Sequence, residues 1–232
     1  FVQANLVILP QALAFDFLRF CQRNPKPCPV LEVTDPGQYE PVHVAPGADL
    51  RTDLPLYRVY REGRLEAEVK EIQELWRDDL VAFLLGCSFT FEAALLRAGI
   101  PLRHIQEGKN VAMYITNIQT TPAGPFAGPM VVSMRPIAQG QVVKAVQVTS
   151  RYVGAHGAPV HIGDPAAIGI RDIARPDYGD ATSIREGEAP VFWACGVTPQ
   201  AVALKARIPF MITHSPGHMF ITDLRDEDLA AT

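Results

Sequence analysis

Short, uninterrupted apolar runs alternate along this chain with segments whose apolar residues recur at helical spacing. The runs that precede Cys87 and Cys195 have the length and continuity of strands buried on both faces. Further strands are predicted over residues 30–34, 57–61, 65–69, 111–118 and 130–134. Helices are predicted over residues 10–20 and around 142–146, and from the N-caps Thr90 and Thr198 onward. This alternation predicts an α/β fold with a mixed sheet.

One strand–turn–helix segment occurs twice. Residues 83–101 align without a gap with residues 191–209, and seven of these nineteen positions are identical, where chance gives about one. The identical pairs are Cys87/Cys195, Thr90/Thr198, Ala93/Ala201, Leu96/Leu204, Ala98/Ala206, Ile100/Ile208 and Pro101/Pro209. A second similarity relates residues 114–118 to residues 220–224. The sequence therefore predicts a single domain over residues 1–232, built by internal duplication from two pseudo-repeats, about 83–118 and 191–224.

Each repeated cysteine falls between the end of a strand and the start of a helix. Open α/β folds place ligands at such positions, where free N–H groups favour an anion. The same field stabilises a thiolate, so Cys87 and Cys195 are candidate nucleophiles or bases. The alternative is a pair of buried packing cysteines, but recurrence at matched positions favours a functional role. The adjacent polar positions are candidates for binding carboxylates: Ser88, Thr90, Gly196 and Thr198.

Composition narrows the class of partner. The net charge is −4 and the pI about 5.9, and the sequence has no basic run, so we expect no nucleic-acid partner. No apolar stretch reaches membrane-spanning length, so we expect no membrane partner either. The four cysteines lack metal-type spacing, which favours a reduced, cytoplasmic compartment. Because the first residue is Phe1, the natural start is predicted to be missing.

Histidines and arginines supply further candidate chemistry. The most polar stretch covers residues 156–165 and contains His161 and Asp164, and a Ser-Pro-Gly turn carries His214 and His218. Histidine suits general acid–base catalysis because its pKa lies near neutral pH. A metal site made from these four residues is conceivable, but their spacing matches no metal motif, so we predict neither metal nor cofactor.

Two arginines are candidate clamps for a substrate carboxylate. A guanidinium can hold a carboxylate through two parallel hydrogen bonds. Arg135 ends an apolar strand, and Arg103 precedes a histidine. A surface salt bridge is the alternative for both, and it is the stronger alternative for Arg103.

Several long motifs resemble the D-glutamate cyclase family. They cover nearly the whole chain, at residues 86–89, 122–126, 131–136, 156–165, 192–200 and 214–223. The resemblance implies a lyase that removes water; bacterial members are described as hydro-lyases, and the named member closes D-glutamate to 5-oxo-D-proline. Members usually have a further N-terminal stretch before the residues that match 2–5. In the eukaryotic cyclase, a similar module is fused to a second domain.

The residues and the resemblance together predict one shared site for a small carboxylic acid between the two repeats, in a chain that could form homo-oligomers. The predicted catalytic residues are Cys87, His161, Cys195 and His214. The predicted substrate-binding residues are Ser88, Thr90, Arg103, Arg135, Asp164, Gly196, Thr198 and His218. Two alternatives stay open: a cofactor-independent racemase or epimerase that uses the two cysteines, and a non-catalytic binding module for a small carboxylic acid.

Overall fold

The computed structural model describes residues 1–231 and confirms the α/β class. The elements, in chain order, are β1 Gln3–Pro10, α1 Gln11–Arg23, β2 Val30–Val33, β3 Tyr57–Arg61, β4 Arg64–Val69, β5 Leu80–Gly86, α2 Glu92–Arg97, α3 Arg103–Gln106, β6 Ala112–Gln119, β7 Pro129–Ala138, α4 Val142–Ser150, β8 His161–Ile162, β9 Glu188–Ala194, α5 Thr198–Ala206, β10 Phe210–His214 and β11 Phe220–Ile221. No helix in this part of the chain is both long and apolar enough to cross a membrane.

The strands form two sheets, which differs from the expected single mixed sheet. The first has the order β2-β5-β1-β10-β3-β4, with β11 also paired to β1, and the second has the order β6-β7-β9-β8. Neighbouring strands within both sheets are antiparallel. Local sequence predicts that a segment is extended, but the choice of partner strand depends on contacts far along the chain.

The two repeated units are arranged reciprocally across the sheets. β5 belongs to the seven-stranded sheet, while Leu95 of the following α2 packs with Trp193 of the four-stranded sheet. β9 belongs to the four-stranded sheet, while Val202 of the following α5 packs with Phe83 of the seven-stranded sheet. Both cysteine turns therefore lie where the chain crosses from one sheet to the other. The internal duplication itself stays a prediction.

The central strand β1 is buried on both faces. Its side chains alternate, so Leu6 and Ile8 enter one apolar cluster while Val7 and Leu9 enter another. The second cluster includes Phe17 of α1, whose ring contacts Phe83 and Phe126 edge-on. Burying one such side chain contributes about 2 kcal/mol. This packing makes β1 a rigid support for the polar residue that it also carries, Asn5.

The repeated threonines do not cap the helices as the sequence predicts. Thr90 lies in a 3₁₀ turn, Ser88–Phe91, and α2 begins only at Glu92. Thr198 is already the first residue of α5; its hydroxyl donates to the Cys195 carbonyl at 2.7 Å and accepts from the Val131 N–H at 3.0 Å. The N–H groups of both threonines donate to the cysteine carbonyl three residues earlier, at 3.1 and 3.0 Å. The threonines therefore close the two cysteine turns.

Candidate active site

Asn5 connects the two cysteine turns. Its side chain is buried, and its Nδ2 donates to the carbonyl of Gly86, the residue before Cys87, at 2.7 Å. A Cβ atom on Gly196, the residue after Cys195, would lie 2.0 Å from the same Nδ2. The first turn is bonded to Asn5 and the second turn packs against it, so the two turns are neighbours. The sequence analysis missed Asn5, whose only signal is an amide near the start of a mostly apolar strand.

Both cysteines of these turns are protonated thiols at neutral pH. Burial raises the pKa of Cys87 to about 12 and that of Cys195 to about 11. The N–H of Phe89 lowers the pKa of Cys87, and that of Val197 lowers the pKa of Cys195, but burial outweighs both. A charge on Cys195 would raise the pKa of Cys87 further, so the two groups interact. The expectation that the helix starts would stabilise thiolates is therefore not met.

Arg135 lies at the first cysteine turn, in a buried ion pair. Its Nε and Nη2 donate to Glu92 Oε1 at 2.8 and 2.5 Å, and Nη2 also donates to Ser88 Oγ at 3.1 Å. Although burial opposes it, the charge of Arg135 holds the pKa of Glu92 below its ordinary value. The same charge lowers the pKa of Cys87 and Cys195. Arg135 thus binds a carboxylate, as the sequence suggests, but that carboxylate belongs to the protein.

His104 extends this ion pair. Its Nε2 lies 3.3 Å from Glu92 Oε2, and its ring stacks on that of Phe89 with 6.4 Å between centroids. Within residues 1–231 its buried Nδ1 has no hydrogen-bond partner. The sequence analysis did not single out Glu92 or His104 as site residues. The available signal was Glu92 in the repeated motif, five residues after Cys87.

His161 and Asp164 lie away from these turns. His161 of β8 pairs with Phe192 of β9, whereas Arg135 of β7 pairs with Val191, the residue of β9 just before Phe192. Because neighbouring side chains on a strand point to opposite faces, His161 and Arg135 are on different faces of the sheet. His161 Nε2 lies 2.7 Å from the Asp164 carbonyl, and the Asp164 carboxylate caps a short 3₁₀ turn.

His214 lies on the opposite face of the seven-stranded sheet from Asn5. His214 ends β10, and its Nδ1 accepts from the Leu6 N–H at 3.1 Å. It pairs with Tyr57, whose side chain belongs to the cluster on the face opposite Asn5. His218 is half-buried, and its Nδ1 lies 3.2 Å from the Pro216 carbonyl.

Arg103 forms an ion pair with Glu188 at 2.5 Å. Glu188 is the first residue of β9 and Cys195 follows the last, so at about 3.3 Å per residue they lie roughly 20 Å apart. The structure therefore brings seven of the predicted residues to the paired turns and places four elsewhere. The first group is Cys87, Ser88, Thr90, Arg135, Cys195, Gly196 and Thr198, and the second is Arg103, His161, Asp164 and His214. His218 contacts the Pro216 carbonyl of its own turn.

Three polar residues on the second turn's side were not predicted. The Tyr60 hydroxyl donates to Gln200 Oε1 at 3.0 Å, and Gln200 Nε2 donates to the His214 carbonyl at 2.9 Å. Tyr178 packs in the same apolar cluster as Cys195, and burial raises its pKa to about 12. Across the described chain, no three His, Cys, Asp or Glu side chains are grouped so that they could hold a metal ion.

We expect His214 to make the protein less stable in acid. Burial lowers its pKa from 6.5 to about 4, so between these values the unfolded chain binds a proton that the folded chain does not. Stability present above pH 6.5 is therefore lost as the pH falls toward 4, by about 3 kcal/mol for this shift. Urea unfolding between pH 7 and pH 4.5 measures this loss.

His214→Asn should reduce this acid sensitivity, because the Asn carbonyl can accept from Leu6 and does not titrate. His43→Asn, at an exposed position, should leave it unchanged. An identical pH profile for His214→Asn and the unmodified chain would contradict the assignment.

The fold and the paired turns define an α/β protein with two neighbouring buried thiols, and the comparisons place it in a family. Residues 81–223 match the model of the family described as D-glutamate cyclase. Relatives that carry the provisional name hydro-lyase include proteins from Stutzerimonas stutzeri (66% identical over 99% of this chain and 86% of theirs), Thermoanaerobacter sp. (70%, over 99% and 87%) and Geobacillus kaustophilus (69%, over 99% and 87%). The chain belongs to the D-glutamate cyclase family.

Membership confirms the resemblance seen in the sequence and the hydro-lyase class expected from it. The solved structure of a nitrogen repressor-like protein from Methanococcus jannaschii aligns with 90% of this chain and 80% of its own length, at a TM-score of 0.43 and 12% identity. This similarity is too low to carry an argument about the site.

Proposed function

We propose that this chain removes water from a small amino-acid-like carboxylic acid at the paired turns, with D-glutamate closing to 5-oxo-D-proline as the reaction. The observation that carries the proposal is the convergence of two protonated thiols, Cys87 and Cys195, on the buried Asn5. Membership in the D-glutamate cyclase family supplies the reaction type.

The chemistry requires groups that both give and take protons. The amine nitrogen of D-glutamate bonds to the carbon of the side-chain carboxylate, and one oxygen of that carboxylate leaves as water. Two protons leave the nitrogen and two reach the departing oxygen. A thiol that is protonated at neutral pH suits the role of donor to the oxygen. The raised pKa values of Cys87 and Cys195 therefore favour the donor role.

Substrate carboxylates would be attracted to the same place. The N–H groups of Thr90 and Thr198 already donate to the cysteine carbonyls, so the N–H groups of Ser88 and Gly196 would serve a substrate carboxylate at the starts of the two helical segments, where N–H groups favour anions. The four positions of these turns are those expected from the sequence: Ser88, Thr90, Gly196 and Thr198. Arg135 contributes by orienting Ser88, to which it is bonded.

Replacing either thiol should stop water elimination. We expect Cys87→Ala and Cys195→Ala each to lower kcat/KM for D-glutamate by about 100-fold or more, the usual contribution of a positioned acid. Formation of 5-oxo-D-proline, followed by NMR, measures the reaction. Cys21→Ala removes another buried thiol and should retain activity within about threefold if the variant is folded. Full activity of both folded single variants at positions 87 and 195 would refute the proposal.

A cofactor-independent racemase or epimerase is the second candidate, favoured by the neighbouring positions of the two thiols. In that reaction one cysteine removes the α-proton and the other returns one to the opposite face. Exchange of the α-hydrogen with deuterated water, without loss of water from the substrate, would favour it. A non-catalytic binding module would instead bind the acid tightly and turn nothing over.

A further inference from the structure

The backbone turn Val153–Gly157 is packed directly on the first cysteine turn. A Cβ atom on Gly86 would lie 1.8 Å from the Gly154 carbonyl oxygen, so this approach requires glycine at position 86. The 3₁₀ turn Val153–Ala155 also packs against the 3₁₀ turn Ser88–Phe91. The next residue of the turn, His156, is therefore held beside the residues that follow Cys87.

His156 has an unusual backbone conformation for a residue other than glycine. Its φ is +79°, in the left-handed region, which side chains with a Cβ adopt at an energetic cost. It is also almost completely buried. A strained, buried and ionisable residue is found most often where function requires it. The polar stretch 156–165 is prominent in the sequence, but none of its residues has a role in the paired-thiol site as described above.

The hydrogen bonds of His156 fix its tautomer. Its Nδ1 lies 2.6 Å from the Lys26 carbonyl oxygen, which can only accept, so the proton of the neutral ring is on Nδ1. Nε2 then carries the lone pair, and it has no hydrogen-bond partner in the described part of the chain. The Lys26 ammonium group donates to the Ala158 carbonyl at 2.6 Å, which ties the same turn a second time. The ring is thus held in a fixed orientation, and its Nε2 is a hydrogen-bond acceptor without a donor in the described part of the chain.

The charged groups that act on His156 are Lys26 and Arg135. Burial lowers the pKa of His156 to about 4; the hydrogen bond to the Lys26 carbonyl opposes this shift, and the charges of Arg135 and Lys26 contribute to it. Arg135 acts in the same way on the pKa of Cys87 and Cys195, so the charge of one guanidinium influences all three groups. A substrate carboxylate bound there would oppose these positive charges and raise the pKa of His156 toward neutral pH.

We propose that His156 is the base of the reaction at the paired thiols, and that its Nε2 takes the first proton from the substrate ammonium group. This inference rests on the proposed function. The freed amine lone pair forms the C–N bond, and a thiol protonates the carboxylate oxygen. The C–O bond then breaks, its electron pair stays on the oxygen, and the proton held by His156 completes the water. The thiolate takes the second proton from nitrogen, so every group returns to its starting state.

His156→Asn is the matched variant for this role. Asparagine tolerates the left-handed backbone conformation, and its amide can donate to the Lys26 carbonyl as Nδ1 does, but it has no group equivalent to the Nε2 lone pair. We expect a folded variant whose kcat for D-glutamate falls by about 100-fold or more, with KM changed by less than about threefold. His43→Asn, at an exposed position, serves as the control and should keep its kcat.

The pH profile gives a second readout. In the unmodified chain, kcat/KM should decrease at acidic pH as His156 becomes protonated. His156→Asn should have a low residual kcat/KM that does not show this decrease. Nitrogen-15 NMR of the unmodified, histidine-labelled chain should also show an unprotonated Nε2 at pH 7 whose resonance shifts when D-glutamate is added. This measurement does not depend on the variant folding.

The outcomes separate the two proposals. Suppose that the unmodified chain turns over D-glutamate. If His156→Asn is then also active, or if D-glutamate does not shift the Nε2 resonance, the role of His156 is overturned and the proposed function stays intact. No turnover by the unmodified chain overturns the proposed function and, with it, this inference. If folded His156→Asn keeps only a low residual rate, and that rate no longer falls on the acid side, both proposals are supported.

Discussion

Arg135→Met is expected to lower the free energy of unfolding by about 3–5 kcal/mol, because it leaves the Glu92 carboxylate buried without its partner. Arg135 is fully buried, and its guanidinium lies 5.1 and 5.5 Å from the ring centroids of Phe91 and Trp193. The ion pair is therefore shielded from solvent, which cannot readily replace the lost contact. Urea unfolding followed by fluorescence measures the change. Activity should fall with stability, because Ser88 also loses its bond to Arg135.

Two further variants test whether the unpaired charge is the cause. Glu92→Gln combined with Arg135→Met removes both charges, so the double variant should be less destabilised than the sum of the single variants. Arg97→Met breaks an ion pair with Glu227 in which both side chains are more than half exposed, and it should cost less than about 1 kcal/mol. Equal losses of unfolding free energy for Arg97→Met and Arg135→Met would show that the buried ion pair matters no more to stability than the exposed one.

Gly86→Ala is expected to cost about 3 kcal/mol and to remove most activity. The added Cβ would overlap the Gly154 carbonyl oxygen at 1.8 Å, and backbone atoms cannot rotate aside as a side chain can. The turn that holds His156 must then move away from the Cys87 turn. Thermal unfolding and the D-glutamate assay measure the two effects.

Gly140→Ala is the matched control for this variant. No atom lies within 4 Å of a Cβ built at position 140, and its backbone is not left-handed. We expect a change within about 0.5 kcal/mol and full activity. Gly86→Ala with the stability and activity of Gly140→Ala would contradict the close packing of the two turns.

Sequence reasoning predicted the elements of the first cysteine turn but not its electrostatics. The apolar run before Cys87 and the helix after it are local features, so β5 and α2 could be recognised. The state of the thiol depends instead on burial, which local sequence does not reveal, and burial raises its pKa to about 12. Helices begin within a few residues of both cysteines, although not at the predicted N-caps, and one N–H group lowers a thiol pKa less than the loss of solvent raises it.

The residues that complete the candidate site were not predictable because their partners are remote in sequence. Asn5 contacts Gly86, 81 positions away, and His156 contacts Lys26, 130 positions away. No periodicity or spacing encodes such a pair. His161 was assigned to the site from its residue type, but the register of β8 against β9 places it on the other face of the sheet from Arg135. A shift of one residue in register would have reversed this outcome.

The sequence by itself determined the α/β class, the two similar cysteine units and the family. Apolar runs, turn residues and long motifs are features of consecutive residues, so they can be recognised without knowing the tertiary structure. Only the tertiary structure decided that the strands divide into two sheets and that each unit crosses between them. It also decided which polar side chains lie at the cysteine turns. Strand partners and side-chain faces follow from packing between distant segments, and that packing places Asn5 and Arg135 at the cysteine turns while His161 and His214 lie on other faces of their sheets.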